Sequence, residues 1–213
     1  MKRIAKLILL CPLIFLAGCN SKSKNSSNRK QVSFDEFKFK AQTVEHDVYY
    51  KSARVDLNIS ASMRGQGSES INGYVLFLYG DGGFSATGSN ITESTGLDDD
   101  VLDDIMNTRV YQYETEDLFS EYSTSSVNLD TDLISNPKIS YYVSDTGFSM
   151  SFSVDINAED DGWTFAGNLT TSVGWNEFGF LTGFRVNARI VQSGFGQKTV
   201  LSMNGSGTVT YFN

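Results

Sequence analysis

Period-two alternation of apolar and polar residues dominates the chain from Ala53 onward and constrains its fold more than any other feature. Val55, Leu57, Ile59, Ala61 and Met63 alternate with Arg54, Asp56, Asn58, Ser60 and Ser62. On an extended backbone the first set shares one face and the second set the other. The pattern returns in Phe148, Met150, Phe152, Val154 and Ile156, in Phe184, Val186, Ala188 and Ile190, and in Leu201, Met203, Val209 and Tyr211. Between the runs stand Asp81-Gly82-Gly83, Asp145-Thr146-Gly147, Asp160-Asp161-Gly162 and Ser193-Gly194-Phe195-Gly196. These are residues that tolerate the positive φ of tight hairpin turns. The expected fold is mainly β (α+β): a single antiparallel meander sheet curved into a half-barrel or sandwich, with an N-terminal helix and a short helical insertion.

The two helices are expected where the alternation stops. Ser33 can cap a helix whose third residue on, Glu36, completes a capping box. Phe34, Phe37, Ala41, Val44 and Val48 then fall near helical spacing. The insertion runs from Asp98 to about Asn107, with Leu97, Val101, Leu102 and Ile105 as its apolar stripe. In the strand from Gly73 to Tyr79 both faces are apolar, because Tyr74, Leu76 and Leu78 oppose Val75, Phe77 and Tyr79. Both faces of that strand are therefore expected to be covered, by a core on one side and by a helix or another subunit on the other.

The N-terminus supplies an address. Lys2, Arg3 and Lys6 precede an apolar run that ends in Leu16-Ala17-Gly18-Cys19. A charged region, an apolar region and small residues before a cut describe a secretory signal. With the cysteine directly after the small residues, the stretch resembles the lipobox of bacterial lipoproteins. That resemblance implies cleavage before Cys19 and diacylation of its thiol. A retained transmembrane helix fits less well: Ile4 to Gly18 is about 15 residues, short of the ~20 that span a bilayer, and Pro12 lies inside it. The expected organisation is a lipoprotein signal peptide at 1–18, the lipidated cysteine and a disordered tether at 19–31, and one β-rich domain at 32–213. Asn20 to Lys30 contains no apolar residue, which is why it reads as tether.

Charge narrows the partners. The chain has 17 basic and 25 acidic residues. Without the three basic residues of the signal, 14 stand against 25, a net of −11, and Lys22, Lys24, Arg29 and Lys30 fall in the tether. A basic tether is drawn to anionic headgroups, whereas an acidic body is repelled by nucleic acid, so no nucleic-acid partner is expected. Cys11 leaves with the signal and Cys19 is acylated, so no thiol remains for a disulfide, a metal or a nucleophile. His46 is the single histidine, which excludes multi-histidine zinc sites.

The remaining candidate sites have simpler readings. Asp98, Asp99, Asp100, Asp103 and Asp104 lack the offsets of a calcium loop and suit the first turn of a helix. Glu159-Asp160-Asp161-Gly162 reads as a hairpin turn rather than a carboxylate pair. His46, between Glu45 and Asp47, reads as an exposed residue. Gly65-Gln66-Gly67 and Asn204-Gly205-Ser206-Gly207 lack the strand, glycine loop and helix order of phosphate sites. No metal, no cofactor and no catalytic residue is assigned. The 2 Trp, 10 Tyr and 15 Phe are either core or the lining of an apolar cavity.

The order of anchor, tether, amphipathic helix, about three strands, helical insertion and further meander strands resembles the half-barrel lipoproteins and lipid carriers of the LolA and LppX type. That resemblance implies a concave face that binds acyl chains under a lid near Leu97 to Ile105. The residues it places on that face are Val55, Leu57, Ile59, Val75, Phe77 and Tyr79, together with Phe148, Met150, Phe152, Trp163 and Phe165. The expected function is a membrane-anchored, non-enzymatic lipoprotein of the bacterial cell envelope, held through the lipid on Cys19 and binding an apolar or lipid ligand. The alternative is a surface structural or protein-interaction lipoprotein with a filled core, meeting an envelope protein partner.

Overall fold

The computed structural model of the chain describes residues 28–89, 99–112 and 134–213. After the short strand β1 (Lys30–Val32) and helix α1 (Phe34–Gln42) come β2 (Ser52–Met63), β3 (Gly67–Gly80) and β4 (Gly83–Ser89). Helix α2 (Asp99–Asn107) and a 3-10 turn (Val110–Gln112) follow. The rest is β5 (Ile134–Ser144), β6 (Gly147–Asp160), β7 (Trp163–Asn176), β8 (Leu181–Gly194) and β9 (Gln197–Phe212). All nine strands join one antiparallel sheet in the order β1-β5-β6-β7-β8-β9-β2-β3-β4. The expected single meander sheet is therefore present, open rather than closed into a barrel, with β1 and β4 at its edges.

Two meanders build this sheet, and the pairing of β9 with β2 joins them. β2–β4 and β5–β9 are each connected by hairpins, but the link between them is β9 lying beside β2, from Ser52↔Phe212 to Met63↔Leu201. The hairpins form where the turn residues fall. Asp161-Gly162 and Phe195-Gly196 both take positive φ at both positions, 49° and 80° in the first and 49° and 75° in the second. This is the backbone of a primed two-residue turn, whose twist matches that of the flanking strands.

Ser33 caps α1 as expected: its Oγ accepts from the Glu36 N–H at 3.2 Å. The helix ends at Gln42, short of Val48. Thr43 and Val44 are β-branched and lose χ1 freedom in a helix. Val44 still reaches the core, and Phe37 and Ala41 are buried on the face that meets the sheet. Among the residues of α2 whose burial is described, Leu102 and Met106 are buried, with Ile105 packed beside them. Leu97 and Asp98 lie outside the described residues.

Register places the apolar face of every long strand on the side where the helices sit. One row runs Met150↔Val173↔Phe184↔Gly207↔Leu57. Gly207 is required there because a Cβ would collide with the Phe184 ring, which lies across the strand in its place. Gly205, in the next row, gives the same room to Val186. These glycines belong to the Asn204-Gly205-Ser206-Gly207 tetrad, which lies within β9.

Helix α2 also closes one edge of the sheet. The Asn107 Oδ1 accepts from Phe84 N–H at 2.7 Å, its Nδ2 donates to the Phe84 carbonyl at 2.8 Å, and an Asp103 carboxylate oxygen accepts from Ala86 N–H at 2.7 Å. Side chains thus take the place of the next strand along β4, which removes a ready template for edge-to-edge pairing. Asn107→Ala leaves two partly buried backbone groups of Phe84 unpaired and lowers stability by about 1–3 kcal/mol. Urea denaturation checks the value; no change would show that solvent replaces the amide freely.

Candidate functional site

The eleven residues that the half-barrel resemblance puts on a ligand face do share one face of the sheet. Most of them are packed. Val55, Leu57, Val75, Phe77 and Met150 are buried in a core cluster that includes Phe37 and Ala41 of α1 and Leu102 and Met106 of α2, while Tyr79 and Phe148 pack against it. Val75 is fully buried and Phe77 is only 1% exposed. Phe37 reaches Phe148 and Trp175 edge-on, with ring centroids at 5.9 Å and 6.2 Å. Phe152 packs instead against a second cluster of Val154, Leu169, Val186 and Met203. Phe165 is buried, Ile59 half-buried, and Trp163 lies toward the opposite end of the sheet with its ring 5.4 Å from that of Phe195.

The helix-covered end holds a group of rings that sequence inspection left undifferentiated. Tyr50 stacks on Tyr211 at 4.5 Å and meets Phe180 edge-on at 4.9 Å, and Phe84 joins from β4. Arg109, between α2 and the 3-10 turn, lays its guanidinium 3.4 Å over the Phe180 ring. Its Nη1 is buried, and among the described residues no hydrogen-bond acceptor reaches it. The ring face takes the acceptor's place as a cation–π partner, and burial pushes the guanidinium below its ordinary value. The Val110 N–H donates to the Gly179 carbonyl at 3.0 Å and ties this segment to the β7–β8 hairpin. The geometry is that of a clamp holding helix to sheet.

The Tyr211 hydroxyl donates to the Leu181 carbonyl at 2.6 Å. Burial, helped by Tyr50, pushes this phenol well above its ordinary value. The folded chain therefore keeps its proton at a pH where an unfolded tyrosine, with a pKa near 10, has lost it. Stability is intact below about pH 10 and falls above it by up to about 1.4 kcal/mol per pH unit. In Tyr211→Phe that alkaline slope is absent, at a cost of about 1 kcal/mol at neutral pH from the lost hydrogen bond. Urea midpoints of both proteins at pH 8 and pH 11 test the sign; equal slopes would contradict it.

On the other face of the sheet, Tyr74, Leu76 and Leu78 are exposed, Leu78 by 55%. Among the described residues no helix meets the expectation that this face of the strand is covered. Helices α1 and α2 both pack on the inner face, away from this stripe. Beside it, a shallow cleft of about 370 Å³ is lined by Arg54, Asp56, Asn72, Tyr74, Ser206 and other residues. Arg54 grips Asp56 through two nitrogens at 2.7–3.0 Å and lies 4.3 Å over the Tyr74 ring. Because Asp56 is engaged by Arg54, the cleft presents amides and hydroxyls rather than an acid–base pair.

The other sequence candidates resolve as follows. Cys19 and the rest of the N-terminal segment lie outside the described residues, as does Asp98. Asp103 serves the β4 edge, and no group of three or more potential metal-ligating side chains occurs among the described residues. Asp161-Gly162 is a hairpin turn, and His46 is exposed with its ring 4.5 Å from that of Tyr111. No described helix is long and apolar enough to cross a membrane. No protein-family model, no curated protein and no solved structure matches the chain.

Proposed function

We propose that this protein is a membrane-anchored, non-enzymatic lipoprotein of the bacterial envelope, held by acyl chains on Cys19, with a packed core and a function exercised through its surface. One observation carries the choice of a filled core over a lipid cavity: the inner-face residues of β2, β3 and β6 are buried together with those of α1 and α2. In this reading the helices are the second layer of the core rather than a lid. The exposed stripe of Tyr74, Leu76 and Leu78 is then the place where an envelope protein would be met.

A second reading, the lipid carrier, has its own support. The buried residues of α1 and α2 all belong to the first cluster, whereas Val154, Leu169, Val186 and Met203 form another on the same face. An acyl chain would lie there if it lies anywhere in the sheet. Native mass spectrometry with solvent extraction, on mature protein purified from its own host, separates the two. The filled-core reading predicts no stoichiometric lipid beyond the covalent anchor; one bound lipid per chain would replace it with the carrier reading.

A further inference from the structure

We infer that the outer face of α1, centred on the exposed Phe39 and Lys40 with the half-buried Lys38 beside them, docks on the anionic membrane surface to which the chain is anchored. The inference rests on the anchored reading of Cys19 and adds to it an orientation.

Charge complementarity is the first argument. Residues 19–40 carry six basic side chains (Lys22, Lys24, Arg29, Lys30, Lys38 and Lys40) against Asp35 and Glu36. The rest of the mature chain holds the other 8 of its 14 basic residues and 23 of its 25 acidic ones. The molecule is thus polarised, with its basic end at the anchor. Glu36 is flanked by Lys30 Nζ at 3.4 Å and Lys40 Nζ at 3.7 Å, which offsets its charge. Asp35 lies in the first turn of α1, where the helix dipole favours it.

Reach is the second. About nine residues separate Cys19 from Asn28, a span of at most ~30 Å when fully extended. The chain then enters the fold beside the β5–β6 hairpin: Asn28 Nδ2 donates to an Asp145 oxygen at 3.0 Å, and Arg29 lies 3.9 Å over the Tyr142 ring. α1 begins directly after β1, so a tether of this length lets it reach the headgroups. The third argument is Phe39 itself, which is 68% exposed although it belongs to a helix whose Phe37 is buried. An aromatic ring between two lysines suits an interface, the ring entering the headgroup layer while the ammonium groups stay among the phosphates.

The test uses the full-length protein, processed in its host, with Gln42→Cys labelled by an environment-sensitive fluorophore. Gln42 is exposed on α1 and leaves Phe39 in place, and Phe195→Cys at the opposite end of the sheet serves as control. Both are reconstituted into vesicles of zwitterionic and anionic brominated lipids. Docking predicts several-fold stronger quenching at position 42 than at 195, lost at high salt and in Lys38→Glu/Lys40→Glu. Equal quenching at the two positions, with the acyl mass on Cys19 intact, overturns the docking alone. Absence of that acyl mass overturns the anchored reading and the docking with it.

Discussion

Replacing Cys19 with Ala abolishes incorporation of an alkyne palmitate analogue and blocks cleavage before residue 19. The effect is expected to be all-or-none because thioether formation needs a thiol, and a chain that begins at Cys19 holds no other. Its consequence for location is large as well. A single acyl chain gives only marginal membrane binding, whereas two chains, each CH₂ contributing about 0.8 kcal/mol, anchor stably. The domain from Val32 on does not depend on this atom, so its urea midpoint stays the same once the signal is removed. Labelling and N-terminal sequencing of wild type and variant measure both parts. Undiminished label in Cys19→Ala would place the lipid elsewhere.

Phe77→Ala unfolds the protein more than any other single truncation on β3, by about 3–5 kcal/mol. Phe77 is 1% exposed, stands in the core under the helices, and pairs across the sheet with Ala53 and Ala86, too small to fill the space it leaves. A domain of this size is stabilised by only about 5–15 kcal/mol, so the loss lowers the melting temperature steeply. Leu78, its neighbour on the same strand, faces outward, and Leu78→Ser changes stability by no more than about 0.5 kcal/mol. The pair of values measures sidedness directly. Comparable losses at both positions would mean that the outer stripe is covered in solution.

Much of this fold is legible in the sequence because alternation and turn chemistry are local. Val55 to Met63, Phe148 to Ile156 and Phe184 to Ile190 fall on the inner face as their alternation requires. Asp161-Gly162 turns because those residues accept positive φ, whereas Phe195 takes a φ of 49° beside Gly196 although a bulky residue seldom does. Ser33 starts α1 for an equally local reason. What stayed hidden is non-local. Nothing in Leu201 to Phe212 says that it pairs with Ser52 to Met63, since register between distant strands follows from how the two meanders close their shared core. Asp103 and Asn107 read as a polar helix face until β4 is beside them. The apolar outer side of β3 illustrates the limit in the other direction: Tyr74, Leu76 and Leu78 predict a cover, and no helix among the described residues supplies one. The Arg109 clamp is likewise invisible without the ring of Phe180 beneath it.

The intact mass of the mature protein, extracted in detergent from its host's membranes, tests the central claim most directly. The account predicts a chain that begins at Cys19 and is heavier than its residues by a diacylglycerol thioether, with or without a third acyl chain. A chain that retains residues 1–18, or one cut elsewhere and free of acyl mass, would contradict it.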